Sequence, residues 1–243
     1  MGITAQGRAF SPVRNIEGFN ENNSVTYDVE TDSFRLRIAN ALTSLDETFL
    51  PTDIDPRSDA SLTVYEGAGG DRMYVMLNAQ EAILNLNYVT FGNWIDTTGD
   101  NNDLATGYVV FGVRTPVSAM PGSGTASYAG QTAGTMVDAK GNVYTVSGFG
   151  TLTANFTAGT VNGDFNRMGA LAVQTATVVP WRDFTTTADI SGSSFTGSAA
   201  TKDGKLTGTT RGGFFGPVAE EIGAVWTLSG PGENATGAFV GKK

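Results

Sequence analysis

The run Gly212-Gly213-Phe214-Phe215-Gly216-Pro217-Val218-Ala219-Glu220-Glu221-Ile222-Gly223-Ala224-Val225-Trp226 decides the fold. Glycines flank a pair of aromatics, a Gly-Pro step sets a corner, two acids follow, and an apolar strand resumes. Gly-Pro punctuates turns, and glycine inside a strand marks a sharp bend or a close backbone approach. With the tail Gly237-Ala238-Phe239-Val240-Gly241-Lys242-Lys243, the stretch reads as the closing corner of an antiparallel barrel, where such bends are required.

Composition agrees with many short strands. The 243 residues include 32 glycines, and only 16% are charged; abundant Thr, Ser, Asn and Val fits all-β structure with tight turns. The chain has no cysteine, so disulfides and thiolate metal sites are excluded, and no histidine, so Ser-His-Asp and Cys-His chemistry is excluded with them. A formal charge of −9 disfavours nucleic acid and anionic membrane surfaces, which reward clustered Lys and Arg. No run approaches the ~20 apolar residues of a spanning helix. Met1-Gly2-Ile3-Thr4-Ala5-Gln6 lacks the pattern of a signal peptide, and Met1 is read as a start placed after a removed export signal.

Working back from the closing corner, four copies of a strand with central glycine recur: Val161-Asn162-Gly163-Asp164-Phe165, Phe195-Thr196-Gly197-Ser198-Ala199, Leu206-Thr207-Gly208-Thr209-Thr210 and Ala235-Thr236-Gly237-Ala238-Phe239. Alternating segments near 125–137, 142–157, 160–167, 170–180, 184–191, 194–201, 205–215 and 222–230 predict an eight-stranded up-and-down barrel over 124–243. The segment 235–241 is a ninth strand or the closing one. Residues 105–123, with Pro116 and Pro121, read as an extended connector. Residues 1–104 read as a small strand-rich domain that holds 16 acids against 6 Lys and Arg, so all the net acidity sits there. Within it, Val25 to Val29 and Phe34 to Ile38 predict a hairpin, Arg72 to Leu77 and Leu84 to Val89 two further strands, and Ser44-Leu45-Asp46-Glu47 the capping box of a short helical turn.

Four segments resemble one known family. The closing corner from Gly212 to Trp226 is close to G-x-F-[FY]-G-P-x-A-E-E-[IL]-G-G-x-[FW], with Gly213, Phe214, Phe215, Gly216, Pro217, Glu220, Glu221 and Gly223 inside it. Upstream lie Leu86-Asn87-Tyr88-Val89-Thr90-Phe91-Gly92-Asn93-Trp94, the connector Phe111 to Pro121 with Arg114 where proline is more usual, and Gly124 to Thr135. Together they resemble the transferrin-binding-protein-B-like surface proteins of Gram-negative bacteria. The resemblance implies a handle domain packed beside an eight-stranded barrel. It also implies a non-enzymatic, exported protein, a lipoprotein of the outer membrane and cell surface or a secreted form. Such a protein captures a host or environmental protein or a solute in nutrient uptake, with an outer-membrane receptor or translocon as a further partner. The acidic handle favours a partner with positive patches. The alternative is a lipocalin-like carrier of a small hydrophobic ligand or haem, which needs a cavity.

No cofactor is called for by the sequence. Ligand-binding candidates are Trp181 and Arg182, where large aromatics and a charge interrupt a strand, and Arg72, Met73, Tyr74 and Trp94 on the handle; each aromatic has an alternative role as core. Asp96, Asp100 and Asp103 lie in an oxygen-rich loop that offers calcium ligands but lacks EF-hand spacing. Tyr74, Tyr128, Tyr144, Met73 and Met76 are the nominal haem ligands. Glu220 and Glu221 suit turn-forming and capping duty better than acid/base work, and Phe214, Phe215 and Trp226 suit barrel filling.

Overall fold

The computed structural model describes residues 3–8, 15–17, 23–39, 44–67, 72–77, 84–96, 105–172 and 176–243. The described residues of the first half form nine strands: β1 (Ile3–Arg8), β2 (Asn15–Glu17), β3 (Asn23–Asp28), β4 (Ser33–Ala39), β5 (Ser44–Phe49), β6 (Leu62–Glu66), β7 (Arg72–Leu77), β8 (Val89–Asp96) and β9 (Ala105–Gly112). They make two sheets. One runs β2-β1-β9-β8-β7-β6 and the other is the meander β3-β4-β5. The expected hairpin is β3–β4, with Val25 opposite Leu36 and Tyr27 opposite Phe34.

Three expectations for the elements of the first half are corrected. Ser44 to Glu47 is not a helical turn but the start of β5, because in-register pairing with β4 places Leu45 opposite Ile38 and Phe49 opposite Phe34 and buries Leu45 and Phe49. Residues 84–88 are not a strand: Asn85 takes φ +47°, and the strand begins only at Val89. Residues 105–112, expected inside the connector, are β9, which pairs with both β1 and β8.

The second half supplies β10 (Thr125–Asp138), β11 (Val143–Asn155), β12 (Thr160–Ala172), β13 (Thr177–Pro180), β14 (Phe184–Ser191), β15 (Ser194–Thr201), β16 (Thr207–Phe215), β17 (Glu221–Gly230) and β18 (Glu233–Lys242). Eight of these, all but β13, close an antiparallel barrel through β10–β18 pairing that sets Gly134 opposite Gly237. The stretch expected as a separate strand over 170–180 is divided: β12 runs through to Ala172, and β13 is a short side strand on its upper half.

Side-chain alternation explains the closure. On β14, Phe184, Thr186 and Ala188 point inward and are buried, while Thr185, Thr187 and Asp189 face out. The interior is filled by rings: Phe165 stacks on Phe184 at 4.2 Å, Phe184 lies 4.9 Å from Trp226, and Phe239 meets Phe165 edge-on at 5.4 Å. Eight strands enclose room for side chains and little else, so rings of this size need glycine opposite them. A Cβ on Gly237 would lie 2.4 Å from the Trp226 ring, and one on Gly134 would lie 2.8 Å from it. The Trp226 indole N–H donates to Thr132 Oγ1 at 2.8 Å, and that hydroxyl donates to the Ala238 carbonyl at 2.7 Å, so the polar atoms at the centre are satisfied.

β17 is buried along almost its whole length because both faces are covered. Ile222, Ala224, Trp226 and Leu228 fill the barrel, while Val225 packs outward with Val240 and Ala238 against Phe91, Tyr108 and Val110 of the six-stranded sheet. The Tyr108 and Thr135 hydroxyls share a 2.9 Å hydrogen bond across this junction. On its far face the sheet presents Tyr65, Tyr74, Trp94 and Val109 to Leu36, Ile38, Leu45 and Phe49 of the meander. The layers therefore run meander, sheet, barrel wall.

Candidate binding surface at the barrel end

Two ends of the barrel do different work. At one end, the corner Gly216 to Glu221 is tied to the sheet and the connector. The buried Glu221 carboxylate, 2% exposed, accepts the backbone N–H groups of Asn87, Tyr88 and Val89 at 2.7, 2.8 and 2.9 Å. Its neighbour Glu220 accepts the Val218 N–H at 2.9 Å beside Ala219 at φ +60°. Arg114, on the connector, donates to the Ser193 carbonyl at 2.5 Å and to Ser194 Oγ at 2.9 Å, and lies 5.5 Å over the Phe215 ring. Burial pushes its guanidinium down to about 10, still charged at neutral pH. Both glutamates are thus engaged with backbone, and the aromatics of the closing corner are core.

The opposite end carries the turns 139–142, 202–206 and 231–232 and the long β12–β14 connection. Local chemistry shapes each turn. Asp138 Oδ1 accepts the N–H groups of Lys140 and Asn142, and Asp203 Oδ1 accepts that of Lys205 with Gly204 at φ +71°. Along β12 the pairing with β11 shifts between Ser147 and Phe149, and Arg167 takes φ +53°. This bulge turns the upper half of β12 away from β14, and β13 pairs there instead, Leu171 opposite Val178. A bulge bends its strand and re-aims a side chain.

Behind β13 the chain folds back over the barrel. The Trp181 backbone N–H donates to the Met168 carbonyl at 2.8 Å, and the Trp181 ring stacks 6.2 Å from Trp226. Arg182 then joins three connections. Its Nε and Nη2 donate to the two Glu233 oxygens at 2.9 and 3.1 Å, and its Nη1 donates to Asp203. A bidentate fork of this kind adds geometric precision to charge. The Thr201 hydroxyl and Lys205 N–H, with Arg182, hold the Asp203 carboxyl below its ordinary range.

Between these parts lies a cleft of about 410 Å³, lined by Arg167 and Met168 of the bulge, Pro180, Trp181, Arg182 and Asp183 behind β13, and Lys202 and Asp203 of the turn. Trp181 and Arg182, singled out by sequence, meet here. The handle candidates do not join them. Tyr74 and Trp94 are register partners on β7 and β8, 0% and 1% exposed beneath the meander, which corrects the expectation of a handle-side surface patch in which they take part. Arg72 and Met73 lie on the same strand β7. Asp96 is buried at the end of β8, while Asp100 and Asp103 lie outside the described residues. Among the described residues no group of acidic side chains is arranged to hold a metal ion. The nominal haem ligands are dispersed: Tyr74 under the meander, Tyr128 inside the barrel donating to the Ala219 carbonyl at 2.8 Å, Tyr144 beside Asp138, and Met73 and Met76 on β7. Arg167 was missed. Its signal was the break in alternation at Phe165-Asn166-Arg167-Met168, where two inward residues stand three apart.

A handle of two sheets beside a ring-filled, closed eight-stranded barrel defines a single lobe of a handle-and-barrel protein. Residues 120–243 match the C-lobe and N-lobe β-barrels of transferrin-binding protein B, and the chain belongs to that family. Solved structures agree at the level of fold. A mutant transferrin-binding protein B from Haemophilus parasuis Hp5 superposes with a TM-score of 0.59 at 17% identity, covering 99% of this chain and 45% of that one. The isotype 1 protein from serogroup B Neisseria meningitidis gives 0.56 at 20% identity, covering 99% and 43%. A mutant from Actinobacillus pleuropneumoniae H49 gives 0.50 at 14% identity, covering 99% and 98%. The chain therefore spans less than half the length of the first two. No curated protein matches the sequence.

Proposed function

We propose that this chain is a non-enzymatic binding protein, exported to the outer membrane and cell surface or released from it, which captures a host or environmental protein or nutrient on its outer surfaces. Residues 1–112, which include β9, act as the handle, 113–123 as the connecting stretch and 124–243 as the barrel. The observation that carries this reading is the packed barrel: Phe165, Phe184, Phe195, Phe214, Trp226 and Phe239 fill the interior, which leaves recognition to the outside. Trp181 and Arg182 at the barrel end supply the residue types that dominate binding surfaces. The structural relatives are named for transferrin binding, so transferrin is the first protein partner to test. Of the two kinds of cargo, a protein is the leading reading.

Native mass spectrometry of the purified protein tests it against the carrier alternative. The expected mass is that of the bare chain, and protease treatment of intact cells that make the full-length protein is expected to release it. A small molecule co-purifying in stoichiometric amount, or complete protection of the protein in intact cells, overturns the proposal.

A further inference from the structure

The barrel-end cleft offers donors and few free acceptors. Arg167, raised on the bulge at φ +53°, has no ion pair or hydrogen bond among the described residues. The Trp181 indole N–H, which also has no partner among the described residues, is enclosed, so it lies behind the cleft wall and leaves the exposed Arg167 as the open donor. Lys202 holds Asp164 at 2.9 Å in an exposed pair, which exchanges with little loss. The acids of the lining are engaged: Asp203 by Arg182, Thr201 and Lys205, and Asp183 by the Met168 N–H at 3.3 Å. Beside the cleft, β13 displays Val178 at 69% and Val179 at 42% exposure. A dense polyanion is repelled by Asp164 and Glu233 nearby and by the net charge of −9. A single carboxylate between apolar neighbours is not.

We propose that this cleft seats a carboxylate from an acidic, apolar-flanked segment of a protein partner, with Arg167 as the anchor, Lys202 as the second cation and Val179, on the barrel side of β13, as the apolar lip. The assignment rests on the reading of protein capture given above.

The probe is a fluorescent valine-rich peptide with one central glutamate, compared by anisotropy with its glutamine counterpart. Saturable binding is expected for the glutamate peptide alone. Arg167→Asn removes the charge and keeps a backbone conformation that asparagine tolerates; it weakens binding about tenfold, the worth of one charged hydrogen bond. Arg167→Lys restores part of the loss, since it returns the charge without the fork. Lys205→Gln removes the same charge from the same end outside the cleft lining, and changes binding by no more than about twofold in physiological salt. Thermal melting confirms that each variant is folded. Equal binding of the glutamine peptide, equal losses in Lys205→Gln and Arg167→Asn, or no saturable binding overturns the assignment. If the native mass and cell-surface exposure are as expected while the peptide fails, the cleft assignment falls alone.

Discussion

Glu221 shows what one residue contributes. Three backbone N–H groups from a segment up to 134 residues away converge on one buried carboxylate, so the barrel corner and the entry to β8 hold each other. Glu221→Gln keeps the shape but turns one acceptor oxygen into a donor facing N–H groups. The expected cost is about 2–3 kcal/mol, a Tm lower by about 5–10 °C for a chain of this size, with faster amide exchange at Asn87 to Val89. Unchanged exchange at those three positions would contradict the account. The capping tendency of the acid pair was legible locally, since both follow Gly-Pro. The identity of the capped segment was not. The pattern Leu84, Leu86, Tyr88 looks like a strand because alternation registers side chains and is blind to a carboxylate that claims the backbone from across the molecule.

Elements were legible in proportion to how local their causes are. The turns at 138–142 and 202–206 could be read because an Asp side chain and a glycine within them make the turn. Ser44 to Glu47 carried the spacing of a helix start, and pairing with β4 overrode it. The flap formed by upper β12, β13 and the fold-back to Asp183 is held over the barrel end by Arg182 through Glu233 and Asp203; the Asp203 half of that staple, its carboxyl held down first by Thr201 and Lys205 and then by Arg182, has a defined acid response. Because the folded-state carboxyl is depressed, the staple is fully present above the unfolded value of about 3.9 and is lost as pH falls through the lower folded value. Exchange protection at the Trp181 N–H is therefore expected to hold flat from neutrality to about pH 4 and to drop only below it. Loss of protection beginning near neutrality would show that another group governs the flap.

At the scale of the molecule, fold class and family were readable because glycines opposite rings and the closing corner are imposed by the narrow barrel, a constraint every part of the chain shares. The layering was not readable, since β17 looks like any apolar strand until Val225 is found beneath Phe91 and Val110. That shared cluster couples sheet and barrel. Thermal unfolding followed by Trp fluorescence and by near-ultraviolet dichroism is expected to give one superimposable transition, and two separated midpoints would show independent units. Closure carries a further consequence for biogenesis. The first barrel strand, β10, finds one of its neighbours only in β18, the last. A chain delivered from its N-terminus must wait as an open, curled sheet with two unsatisfied edges, and such edges invite strands from other molecules. Until β18 arrives the nascent protein is at its most vulnerable to aggregation, and the pairing of first strand with last is what ends that interval.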